Sequence, residues 1–493
     1  MLGSLVPKLP LCTPQALSNI LWAMGQIYRE EGAGAHWQPG LPCWGDGMEA
    51  LLGEISTRAR HLGPQDCSNG LWALAVLFGR RSSHTSSAPE PSALSLVGRC
   101  TEVLVTRSAQ TRGQASPQQL CNTLWAASLL LPPVKASEKK HTGSDTDRVD
   151  DDILESQDIL PFDVPSFQNF PHQPISGRDR PLMEVQLLQI ASELMASLKR
   201  CKPQELANAA TGCARLGLVL PGPQPASSLA PGRPGFWPSF WEASFTALPS
   251  AEPRHLAAMI WSAAASGRVP PSRWTRLLLR EATGRSIGHP SGSTLGPRGV
   301  ACMLWSLGRL GLLVPLSLCL PGAITQLIAR AQQLSSDGEM SPQALMMTLK
   351  AVACVTMATD LHGRCSTAAR VPSGVQGKGM TSLTVGRASD LASSRHHLLH
   401  VVMPETVIAL GSAFLSCNNL SATTPRSLVS GLASLAVLAE RQPPGSRFVM
   451  SNVSEARLHM AIQAARRLKP HSDGVMTACL KRLRKAAIKT ATF

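Results

Sequence analysis

One phrase recurs along the chain and limits what it can fold into. It reads TPQALSNILWAM from Thr13, GPQDCSNGLWAL from Gly63 and SPQQLCNTLWAA from Ser116. It returns as KPQELANAATGC from Lys202, EPRHLAAMIWSA from Glu252 and GPRGVACMLWSL from Gly296. Weaker copies are SPQALMMTLKAV from Ser341 and TPRSLVSGLASL from Thr424, with a degenerate one near Ser472. The prolines stand at 14, 64, 117, 203, 253, 297, 342 and 425. The short spacings, 44 to 53 residues, suit one helical hairpin per repeat, and the two long ones, 86 and 83, hold an insertion or a decayed copy.

Each copy reads as a helix. Thr, Ser or Gly before the Pro suits an N-cap followed by proline at the first helical position. Leu17, Leu21 and Met24 then follow at helical spacing. A second amphipathic stretch lies between copies, at residues 46–61, 92–107, 184–200, 320–335, 404–417 and 453–468. One such hairpin cannot bury its apolar faces alone, whereas stacked neighbours share a continuous core. The expected fold class is therefore all-α, an α-solenoid of stacked helix-turn-helix repeats of about 40–50 residues each, with two disordered insertions. The helical blocks are 13–134, 182–362 and a degenerate 396–493. The first insertion, 135–181, is polar and acidic, with nine acids against three bases between 138 and 163. The second, 363–395, is a Gly/Ser-rich loop.

Composition narrows the function classes. Hydrophobic residues are 44% of the 493 and charged residues 16%, which excludes a wholly disordered chain. Aromatics at 4% and a single Tyr disfavour an all-β chain. No run of 18 apolar residues occurs, so no membrane span is expected. The 13 cysteines form no C-x-x-C pair and read as reduced, buried thiols. Lys+Arg outnumber Asp+Glu 47 to 32, a net +15, and from Arg441 to Phe493 eleven bases face two acids. Such a surplus suits a polyanionic partner. Residues 1–12 carry one Lys and no Arg and match neither a secretory signal nor an Arg-rich transit peptide.

Counting each Pro as zero, three positions carry polar or aromatic identity. Position +1 is Gln15, Gln65, Gln118, Gln204, Arg254, Arg298, Gln343 and Arg426, always a long donor and never an acid. Position +5 is Asn in the first four copies, Asn19, Asn69, Asn122 and Asn208. It reads either as a structural ladder or as a ligand contact. Position +8 is Trp in five copies, Trp22, Trp72, Trp125, Trp261 and Trp305, which reads first as core wedged between hairpins, with base stacking as the alternative. Position +2 varies freely, as Ala16, Asp66, Gln119, Glu205, His255, Gly299, Ala344 and Ser427. Positions +1 and +5 share one side of the helix, so stacking aligns them in a row. Amides pair with base edges and guanidinium groups bind phosphate or stack on bases.

Enzyme signatures are incomplete. Gly377-Lys378-Gly379 lacks the remaining Gly and Ser/Thr of a phosphate loop. His396 and His400 have His397 where a zincin needs Glu. The acidic run lacks the Gly and ligand spacing of a calcium loop. The expectation is a non-enzymatic protein without cofactor or metal.

The pattern P-Q-x-L-x-N-x-L-W-A, nearly intact at Pro14–Ala23, Pro64–Ala73 and Pro117–Ala126, resembles the octotricopeptide repeats of green-algal organelle proteins. It is similar more broadly to helical repeats associated with RAP domains and FAST-kinase-like proteins. Pro270-Pro271-Ser272-Arg273-Trp274 and Pro443-Pro444-Gly445-Ser446-Arg447-Phe448 partly echo that family's Pro-Pro-Pro-Glu-Trp signature. The resemblance implies single-stranded organelle RNA as partner, with ribonucleoprotein components beside it. It implies a role in transcript stabilisation, processing, splicing or translation in a chloroplast or mitochondrion. The alternative is a cytoplasmic protein–protein scaffold of HEAT or armadillo type.

Overall fold

The computed structural model describes residues 5–31, 42–79, 91–131, 180–218, 235–284, 295–310 and 321–352. The chain divides into two compact units, Met1–Arg268 and Val269–Phe493, a boundary inside the block expected at 182–362. The Gly/Ser-rich loop 363–395, the block 396–493, Arg426 and residues 135–179 of the acidic insertion lie outside the described residues. All regular structure among the described residues is helical.

In the first unit the repeated phrase forms the odd-numbered helices. These are α1 (Pro14–Glu31), α3 (Pro64–Phe78), α5 (Pro117–Leu130), α7 (Pro203–Leu216) and α9 (Pro253–Ala265). The intervening stretches form α2 (Pro42–Arg58), α4 (Pro91–Gln110), α6 (Arg180–Ser197) and α8 (Phe236–Ala247). Each odd helix packs on the next odd helix, each even helix on the next even one, and the two layers pack on each other. That is an α-solenoid with an A layer and a B layer. In the second unit α10 (Ser272–Gly284) and α11 (Pro297–Arg309) both pack on α12 (Pro321–Ser336), and a further helix covers 342–352. Trp274, in the sequence echo of the family signature, is a buried residue of α10.

Local chemistry starts each A helix. Proline occupies the first turn, where its missing N–H costs nothing. Ser116 and Gln119 form a reciprocal capping box, the Gln119 amide donating to Ser116 Oγ at 3.3 Å and the Ser116 amide to Gln119 Oε1 at 2.8 Å. The Gly63 amide donates to Asp66 Oδ2 at 3.0 Å and the Lys202 amide to Glu205 Oε2 at 2.9 Å. Asp66, Gln119 and Glu205 all stand at +2. Their acceptor chemistry is thus explained by capping, and in these repeats +2 serves the helix start.

Three A-helix positions, +3, +7 and +10, make the core stripe. Leu17, Leu21, Met24, Leu71, Leu74, Leu120, Leu124, Leu206 and Leu256 on this stripe are all buried. Burial of each large side chain stabilises by about 1.5–3 kcal/mol, so this stripe carries the stack.

An arginine staple ties the B helix of a hairpin to the start of its own A helix. The acceptor is the carbonyl two residues before the helix-A proline. Arg107 Nε donates to Leu62 O at 2.9 Å, Arg58 Nη1 to Cys12 O at 2.6 Å and, in the second unit, Arg330 Nε to Leu295 O at 3.5 Å. In each case an arginine on a B helix, or directly after its last turn, reaches back to the preceding A-helix start. Arg107→Met keeps the aliphatic stem but removes the donor. It is expected to cost about 1–2 kcal/mol, read as a lower urea midpoint by circular dichroism.

Cys67, Cys100, Cys121, Cys201, Cys213 and Cys302 are buried free thiols, and Cys12 is a half-buried one. Burial pushes the Cys67, Cys100 and Cys213 thiols up to about 12 from 9.0. The neutral form is therefore favoured in the fold. Their contribution to stability is complete below pH 9.0 and is lost as pH rises toward about 12. Chemical denaturation at pH 8 and pH 10 is expected to show the lower midpoint at pH 10, and replacing all three by Ala or Val is expected to flatten that difference.

Candidate nucleic-acid interface

Helical geometry places +1, +5 and +8 on one stripe. At 100° per residue that stripe lies about 160° around the helix from the core stripe, so it faces away from the B layer. On α1 it is Gln15, Asn19 and Trp22, and all three are exposed. On α3 and α5 the glutamines, Gln65 and Gln118, are exposed, while Asn69, Asn122, Trp72 and Trp125 are half-buried. On α7 Gln204 is exposed and Asn208 half-buried, and Thr211 takes the Trp position and is buried. On α9 Arg254 is exposed and Trp261 is buried. The structure therefore brings nine of the sequence-selected residues together in the first unit: five at +1 and four at +5. In the second unit Arg298 and Gln343 are half-buried.

Two of the +5 asparagines contact each other. Asn208 Nδ2 donates to Asn122 Oδ1 at 3.3 Å, linking α5 to α7. This bond is the structural use of +5 that the sequence allowed, at one pair of repeats. Other cross-repeat bonds sit beside it, Ser18 Oγ donating to Asp66 O at 2.8 Å and Thr211 Oγ1 lying 3.3 Å from Ser262 Oγ.

Cations border the +1 row. The turns that lead into the A helices expose Arg60, Lys199, Arg200 and Lys202, with Arg112 half-buried. Lys199 pairs with Glu242 at 2.7 Å and Arg254 with Glu252 at 2.8 Å, both on the surface. Exposed pairs of this kind are worth about 0–1 kcal/mol. These cations stand one to five residues before the helix-A prolines, at no constant offset, so they show no fixed motif position in the sequence.

The tryptophans are unequal. Trp22 is 40% exposed, Trp261 1% and Trp305 7%. Arginine faces cover three of the rings: Arg29 lies 5.6 Å from the Trp72 centroid, Arg215 5.6 Å from Trp261 and Arg309 5.5 Å from Trp305. Trp22 and Trp72 stand 6.4 Å apart with their rings tilted 41°. The core reading holds for Trp261 and Trp305 and fails for Trp22. The arginine cover was missed from sequence. Its signal was an Arg at +12 in two copies, Arg215 and Arg309.

Among the described residues no group of three or more His, Cys, Asp or Glu could hold a metal ion, and no helix is long and apolar enough to cross a membrane. His396, His397, His400 and the Gly377–Gly379 segment lie outside the described residues.

No family model matches the chain and no curated protein matches it. Among solved structures, a homology model of the full-length AP-3 complex in an intermediate open conformation aligns at 10% identity with a TM-score of 0.23. That alignment covers 100% of this chain and 81% of the other. A likeness of that size carries no argument about fold or partner.

Proposed function

We propose that this chain binds single-stranded RNA along the outward stripe of its A layer, without catalysing a reaction. One observation carries the reading: Gln15, Gln65, Gln118, Gln204 and Arg254 are exposed at the same first-turn position of five successive stacked helices. An exposed second helical position imposes no packing demand, so helix stability does not require a long donor there in every repeat. Amide and guanidinium groups at a fixed repeat spacing suit the hydrogen-bonding edges of unpaired bases. The bordering cations and the net charge of +15 supply attraction to phosphate by counterion release. The resemblance to octotricopeptide repeats supplies the cellular setting, organelle RNA metabolism in transcript stabilisation, processing, splicing or translation, with ribonucleoprotein components as further partners.

The test uses the full chain and a 20-nucleotide RNA selected on it from a randomised pool. Simultaneous Gln65→Ala, Gln118→Ala, Gln204→Ala and Arg254→Ala substitution is expected to weaken binding at least ~10-fold with an unchanged circular-dichroism spectrum. Affinity should also fall steeply between 50 and 200 mM salt. A chain that retains no RNA from the pool at low salt would overturn this reading.

A further inference from the structure

The rows of side chains do not end alike. At the first repeat the outward stripe opens into an aromatic and cationic corner that later repeats close. Gln15, Asn19, Trp22, Gln26 and Arg29 follow at i, i+4, i+7, i+11 and i+14 on α1, one continuous line along the helix. All but the half-buried Gln26 are exposed. The Trp22 ring is 40% exposed, and Ile27 beside this line is 41% exposed. Trp22 contacts Trp72 on α3 with one side of its ring, and the other side is open among the described residues. Trp261 and Trp305 show what the same repeat position looks like when it serves the core, each ring buried under an arginine. Among the described residues no cation lies over Trp22, while the nearby Arg29 guanidinium sits over Trp72.

A solvent-facing indole is unfavourable for a packing residue, which gains only by burial. Here it stands between amide groups on one side and a guanidinium on the other. We propose that Trp22 is a stacking platform for one unpaired nucleobase of the bound RNA. Asn19 lies one turn away to read the edge of that base, and Arg29 is placed to take its phosphate. The proposal rests on the RNA reading above and adds to it a place for one base, on α1. RNA is favoured over a peptide because the indole lies on the same stripe as the exposed amides, and because the whole chain carries a charge of +15.

The experiment measures binding of the selected 20-nucleotide RNA to full-length Trp22→Ala, Trp22→Phe and Gln204→Ala/Arg254→Ala chains by fluorescence anisotropy. Trp22→Ala is expected to weaken binding roughly 5- to 100-fold, with Trp22→Phe retaining most of the affinity. Crosslinking of 4-thiouridine-substituted RNA to the unmodified chain should label the peptide containing Trp22, a readout that does not depend on how well any variant folds. Unchanged affinity in Trp22→Ala, with loss in Gln204→Ala/Arg254→Ala, overturns the stacking platform and leaves the RNA reading standing. Crosslinks that appear only on α5 to α9 overturn it equally. An unmodified chain that binds no RNA overturns both, and capture of a proline-rich peptide lost in Trp22→Ala would make the corner a protein-docking site.

Discussion

Replacing Gly212 by alanine is expected to destabilise the first unit by about 1–3 kcal/mol, although alanine favours a helix interior by about 1 kcal/mol. The reason is the distance between α5 and α7. A Cβ on Gly212 would stand 2.7 Å from the Leu124 carbonyl carbon, 2.8 Å from its oxygen and 3.0 Å from its Cβ. Two of these atoms are helix backbone, which cannot rotate aside as a side-chain tip can. The helices must therefore separate, loosening the neighbouring Asn208–Asn122 contact. Gly98 provides the opposite sign. It lies exposed in α4 with nothing within 4 Å of its would-be Cβ, so Gly98→Ala is expected to stabilise by about 0.5–1 kcal/mol. Urea unfolding of both variants, followed by circular dichroism, measures the two shifts. A Gly212→Ala chain as stable as the parent would show that α5 and α7 are not in close contact.

Trp261→Ala should cost about 3–5 kcal/mol, the usual range for emptying a buried aromatic site. Trp261 is 1% exposed on α9, and the Arg215 side chain that lies over its ring is itself buried. Removing the indole leaves a cavity and a guanidinium without its aromatic partner. Trp22→Ala occupies the same position of the repeat, yet its effect on stability should be under about 1 kcal/mol, in line with surface substitutions. The pair separates two roles for one residue type at one motif position. Equal losses of stability would mean that Trp22 is part of the core.

The period and direction of the repeats were legible because their signals are local. Proline after an N-cap, a Leu at +3 and another at +7 specify an A helix without reference to any neighbour. The B helices at 42–58, 91–110, 180–197 and 321–336 fell close to the amphipathic stretches for the same reason. Two others, Phe236–Ala247 and Ser272–Gly284, carry no repeated phrase and escaped the periodic reading. The +2 residues looked variable because caps can be built from Asp, Gln or Glu alike, so a shared role left no shared identity. The arginine staple was hidden for a related reason. Arg58, Arg107 and Arg330 occupy different distances from the next proline, and only folding brings each to an equivalent carbonyl.

From sequence alone follow the all-α class, the hairpin unit, and the alignment of Gln15, Gln65, Gln118, Gln204 and Arg254 in a row, because 3.6-residue periodicity and helix capping act within a few residues. Only the tertiary structure decides which tryptophans face solvent. Position +8 lies at the edge between the outward stripe and the neighbouring A helix, so the cover over Trp72 and Trp261 comes from the adjacent repeat, whereas Trp305 is covered from its own helix. Arg215 closes over Trp261, while the described residues leave Trp22 open. That difference arises between repeats, from contacts that no single copy of the phrase contains.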